Sequence, residues 1–125
     1  MVHVTLPLLI TGGMPFLLTM IAKAGAFTVE DNRETRNWQA NLTGWRQRAH
    51  WAHQNSFEAF PVFAAALLAS HMAAPQSTAA VWAAWGFVAA RVAFAACYLA
   101  DLAALRSLVW AARIACVVVL FGTTL

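Results

Sequence analysis

The chain has 125 residues, of which 62% are hydrophobic and 10% charged, and a formal net charge of +3. A soluble domain carries about 25% charged residues, so this composition excludes an ordinary soluble enzyme and leaves one domain whose solvent is the bilayer. Most basic residues flank apolar runs and no basic aromatic surface accompanies them, so the charge reads as topological and no nucleic-acid partner is expected.

The first span is expected over residues 2–23. From Val2 to Ala22 there is no Asp, Glu, Lys or Arg, which matches the roughly 20 residues a spanning helix needs. This run is longer than a signal-peptide core and lacks a basic leader, so it is expected to be retained. Gly12, Gly13 and Pro15 predict a bend in it. Residues 24–49 form the one polar segment, with Glu30, Asp31, Arg33, Glu34, Arg36, Arg46 and Arg48, and Asp31-Asn32 marks a turn. It is expected to be a loop outside the bilayer.

The second span, residues 50–74, contains Pro61, which removes a backbone donor one turn past Glu58. At helical spacing Trp51, Asn55, Glu58 and Val62 share a face. Glu58 is the only formal charge between Arg48 and Arg91, and an acid at membrane depth normally faces the bundle interior and meets a cation or a proton. A turn at Pro75-Gln76-Ser77 leads to the third span, 78–100, whose one charge is Arg91. The fourth, 105–125, carries Arg106 at its start and Arg113 two turns deeper. The fold class is therefore all-α, a four-transmembrane-helix bundle.

Lys23, Arg33, Arg36, Arg46, Arg48 and Arg106 fall on the side of the first and third loops, which places those loops in the cytoplasm and both termini outside. Counted inward from that side at about 1.5 Å per residue, Glu58, Arg91 and Arg113 all lie roughly 12–13 Å deep. The shared level predicts an intramembrane ion pair of Glu58 with Arg91, leaving Arg113 as a spare cation. Asn55, Tyr98 and Arg106 lie nearer the loop side and would line a polar cleft. Simpler roles stand beside these: a structural staple for Glu58 with Arg91, interface aromatics for Tyr98 and Trp110, and a snorkelling side chain for Arg106. His50 and His53 sit one turn apart without the further ligands a metal site needs, so no metal is expected, and Cys97 and Cys116 read as small buried hydrophobes.

Two segments carry a family resemblance. Arg48 with Ala52-His53-Gln54-Asn55, Glu58 and Pro61 resembles the signature that opens the second helix of the membrane-associated proteins in eicosanoid and glutathione metabolism. Arg91-Val92-Ala93 with Tyr98, then Arg106-Ser107, is similar to that family's third helix and the start of its fourth. The first loop, with Asp31-Asn32-Arg33 and Thr43-Gly44-Trp45-Arg46, looks most like the bacterial branch.

The resemblance implies a homotrimer in the bacterial inner membrane, with glutathione as cosubstrate bound between neighbouring subunits. Carried over by position, Asn55, Glu58, Tyr98, Arg106 and Trp110 would hold the tripeptide, Arg106 would stabilise its thiolate as the catalytic residue, and Arg91 would brace Glu58. A cation beside a thiol favours the ionised, nucleophilic form. Trp51 stands where glutathione-using members carry arginine, Phe94 where a prostaglandin synthase has histidine, and Trp110 where a tyrosine is usual. The expected function is a glutathione-dependent membrane transferase or peroxidase acting on lipophilic electrophiles that enter from the lipid. The alternative is a non-catalytic lipid-binding or scaffold protein of the same fold, which the tryptophans at 51 and 110 favour.

Overall fold

A computed structural model describes residues 1–75 and 77–125; Gln76, within the turn expected at Pro75-Gln76-Ser77, lies outside the described residues. Among the described residues, five α-helices dominate: α1 (Val2–Lys23), the short α2 (Thr35–Ala40), α3 (Gly44–Ala73), α4 (Thr78–Leu99) and α5 (Ala103–Gly122). Among the described residues, α1, α3, α4 and α5 are each long and apolar enough to cross a membrane, so the protein is a multi-pass membrane protein. Exposed Leu9, Leu17, Met20, Trp82, Val92 and Leu108 cover the outside of the bundle, as a lipid solvent permits.

The second spanning helix starts at Gly44, earlier than the expected position 50, and two of the four arginines assigned to the loop, Arg46 and Arg48, sit on its first turns. Each has a structural reason to be there. A helix ends with carbonyls that lack partners, and a guanidinium can satisfy them. Arg46 Nη1 donates to the carbonyls of Ala22 and Ala24 at 2.9 and 2.6 Å, closing α1, and Arg48 Nη2 reaches the Leu99 carbonyl at 3.4 Å, at the end of α4. The loop itself is folded: a 3-10 turn spans Asp31–Glu34, where Thr28 donates to the Asp31 carboxylate. In α2, Trp38 meets Phe27 edge-on with ring centres 5.0 Å apart.

Packing inside the bundle follows membrane rules, in which small residues let backbones approach and tight van der Waals contact replaces the hydrophobic effect. Ala49, Ala52, Ala66 and Ala84 are completely buried. A Cβ added to Gly12 would lie 3.2 Å from the Phe60 ring, and one on Gly86 would lie 3.2 Å from Cys116 Sγ, so α1 with α3 and α4 with α5 are close pairs. The main core joins Val4, Phe63, Leu67, Phe87, Val117 and Leu120. At its centre Phe63 and Phe87 stack in parallel, ring centres 3.9 Å apart. Truncating Phe87 to alanine leaves a ring-sized void beside Phe63 and should cost about 3–5 kcal/mol, read as a lower unfolding temperature in detergent; an unchanged temperature would remove this stack from the core.

Candidate functional site

The connection from α4 to α5 determines where Arg106 stands. Asp101 adopts a left-handed backbone, φ 60°, which a short polar side chain tolerates better than most. The Leu102 N–H then bonds the Cys97 carbonyl at 2.9 Å and the Asp101 N–H bonds the Tyr98 carbonyl at 3.2 Å. This pair of bonds is the Schellman closure of a helix. It reverses the chain tightly, so that α5 runs back beside α4 and the Arg106 guanidinium lies 4.3 Å from the centre of the Tyr98 ring. Cation–π attraction holds the two together.

A cleft of about 240 Å³ opens there, lined by Asn55 of α3, Phe94 and Tyr98 of α4, and Arg106, Ser107 and Trp110 of α5. Four of the residues singled out in the sequence, Asn55, Tyr98, Arg106 and Trp110, therefore share one cavity. Glu58 lies outside it.

Behind the cleft, Arg91 and Arg113 are almost completely buried, 2% and 6% exposed. The expected ion pair of Glu58 with Arg91 is not formed within the chain. Arg91 Nη1 instead donates to Asn55 Oδ1 at 2.9 Å, and its Nη2 donates to Ser56 Oγ at 2.6 Å. Arg113 Nη1 donates to the same Asn55 oxygen at 3.2 Å. The face rather than the depth explains the difference. The buried stripe of α3 runs through Ala49, Ala52, Ser56, Phe63 and Ser70, and at 3.6 residues per turn Glu58 points roughly 200° away from Ser56. It is exposed, as are Trp51 and Val62 on the same outward face.

The two guanidinium groups are supported by neutral oxygens and aromatic faces. Phe94 lies 5.0 Å from Arg91 and 5.3 Å from Arg113, and the Trp110 ring lies 6.0 Å from Arg113. Phenylalanine at position 94 thus has a physical use here, as a π-surface between two cations. Ser56 went unnoticed in the sequence, although a small hydroxyl one turn after the buried Ala52 is the signal that could have found it. Its hydroxyl donates to the Ala52 carbonyl at 2.8 Å and so turns a lone pair to Arg91. His53 Nδ1 lies 2.7 Å from the Pro15 carbonyl, tying α3 to the proline region of α1, and its ring stacks on His50.

Two further hollows flank the bundle. One of about 490 Å³ lies between α2 and α3, with Arg36, Gln47, His50 and Trp51 among its walls. The other, about 480 Å³, is an apolar groove between α1 and α4 lined by residues such as Leu9, Met14, Leu17, Val92 and Leu99.

Fold and site together define a class: a small integral membrane protein of four spanning helices, with a polar, arginine-backed cleft where α3, α4 and α5 meet. A family model described as the MAPEG family matches residues 4–125. That is nearly the whole chain, and the chain belongs to this family. No curated protein and no solved structure matches it.

Proposed function

We propose that the protein binds glutathione in the cleft between α3, α4 and α5 and uses its thiolate to conjugate or reduce lipophilic electrophiles or peroxides. Membership of the MAPEG family supports chemistry of this general type. The observation that carries the reading to particular residues is the convergence of Asn55, Tyr98, Arg106 and Trp110 on one cavity, with a guanidinium at its edge and two more behind it. In this reading the Asn55 amide holds a carboxylate group of the tripeptide and Tyr98 fixes the position of Arg106. Arg106 then favours the ionised sulfur. The electrophile arrives from the lipid.

The remaining expectations belong to the same proposal. The chain assembles as a homotrimer in a cell membrane with the α1–α3 connection in the cytoplasm, and Glu58, on the outward face of α3, meets a neighbouring subunit. Titrating detergent-solubilised protein with glutathione while following thiolate absorbance tests the central step. Saturable appearance of thiolate is expected, and no binding at millimolar glutathione would remove the catalytic reading.

A non-catalytic lipid-binding role has one observation in its favour, the apolar groove between α1 and α4. Under that role a fluorescent fatty acyl probe binds the groove, and Arg106→Ala leaves every activity unchanged.

A further inference from the structure

We propose that Arg91 and Arg113 act as positioning residues that lock the Asn55 amide with its oxygen turned inward, so that the cleft receives only the amide's N–H donors. Arg113 thereby helps set a preference for ligands rich in carboxylate oxygens. The identity of the ligand rests on the glutathione reading; the locking of Asn55 does not.

The two ends of an asparagine amide are usually assigned by the surrounding hydrogen bonds. Here the assignment is forced. A guanidinium has donors and no acceptor, so the atom 2.9 Å from Arg91 Nη1 and 3.2 Å from Arg113 Nη1 has to be the oxygen. Both of its lone pairs are then engaged. What remains of this side chain for the cleft is the NH2 group. Asn55 thus joins Arg106 and Trp110, which line the same cavity and which can only donate through their side-chain nitrogens. Ser107, whose hydroxyl donates to the Ala103 carbonyl, and the Tyr98 hydroxyl retain lone pairs. A ligand that brings acceptor oxygens satisfies the donors, and one that brings further donors leaves them unpaired.

Arg113 is needed for this in a way Arg91 is not. Arg91 has a second partner in Ser56, whereas Asn55 is the one hydrogen-bond acceptor of the Arg113 side chain among the described residues, and Arg113 Nε is buried without a partner. Burying a cation on a single neutral hydrogen-bond acceptor, with Glu58 acting on it only through space, is a costly arrangement. A core hydrophobe would fill the position more cheaply, but it would leave a lone pair of Asn55 free to compete with a ligand carboxylate.

The decisive variants are N55D, R113M and the double variant, measured in detergent. N55D replaces the amide by a carboxylate that can pair with both guanidinium groups, and it also aims a second oxygen at the cleft. Its effect on unfolding temperature without ligand should be more favourable by several degrees with Arg113 present than in the R113M background. At the same time its preference for glutathione over glutathione diethyl ester, which keeps the ammonium but neither carboxylate, should fall by roughly tenfold, because ligand carboxylates now face an anionic oxygen. R113M alone, which frees a lone pair of Asn55, should lower the same ratio, and a purely structural role for Arg113 would not move it. An unchanged acid-to-ester ratio in N55D, or equal temperature shifts in the two backgrounds, would overturn the proposal. Should the wild-type protein bind neither peptide, the glutathione reading fails, and the ligand-free temperatures alone decide: coupling between positions 55 and 113 upholds the lock, and additivity refutes it.

Discussion

Replacing Arg106 with glutamine should lower the rate of glutathione conjugation by about a hundredfold or more, the usual scale for losing a charged group aimed at the reacting atom, while the bundle unfolds as before. Arg106 is only half-buried, and its support comes from the Tyr98 ring and the tight turn at Asp101. Glutamine keeps reach and a donor but loses the charge, so the thiol returns toward its ordinary, weakly ionised state. Lysine restores the charge without the flat face that lies over Tyr98, and should recover part of the rate. Initial rates with a lipophilic aryl halide, measured beside unfolding temperatures, separate the outcomes. If the glutamine variant keeps the wild-type rate, Arg106 is a snorkelling residue and the thiolate is held elsewhere.

Replacing Asn55 with leucine should destabilise the bundle by roughly 3–5 kcal/mol, the scale for stripping a partner from a buried charge. The branched shape and the number of heavy atoms are kept. What disappears is the one oxygen that accepts from both Arg91 and Arg113. Arg91 keeps Ser56, so most of the loss falls on Arg113, which retains the rings of Phe94 and Trp110 and the through-space attraction of Glu58 but no hydrogen-bond acceptor. Trp82→Leu, exposed on the outside of α4, serves as the control and should be close to neutral. Unfolding by heat or by titrated denaturing detergent reads both. An Asn55→Leu protein as stable as the wild type would mean that the arginines are solvated or paired by some other group.

The four spans were legible because each needs a long apolar run, and a run of that length is visible in any register. Their polar ends were less so. Gly44 to Ala49 reads as loop when charge alone is counted, and only the carbonyl ends of α1 and α4, distant in sequence, explain why Arg46 and Arg48 belong on a helix. Depth was legible for the two arginines, since rise per residue is fixed, but the acceptor they share is Asn55, expected nearer the loop side, and not Glu58. Rotation was not. The expected pairing of Glu58 with Arg91 took the Trp51–Asn55–Glu58–Val62 face as the inward one, although the alanines and serines at 49, 52, 56 and 70 mark the buried side. In a lipid solvent a strongly apolar face is as often outside as inside, so small residues locate the interior better than large ones do. Asn55, Tyr98 and Arg106 were joined in the sequence by their common level toward the loop side, and Trp110 was added through motif resemblance.

The most direct test of the account is an experimental structure of the protein soaked with glutathione. Density for an elongated peptide in the cleft, with a carboxylate on the Asn55 NH2 group and the sulfur beside Arg106, is the expected result. Peptide density confined to the hollow beside Arg36 and His50, or an empty cleft at saturating glutathione, would contradict it.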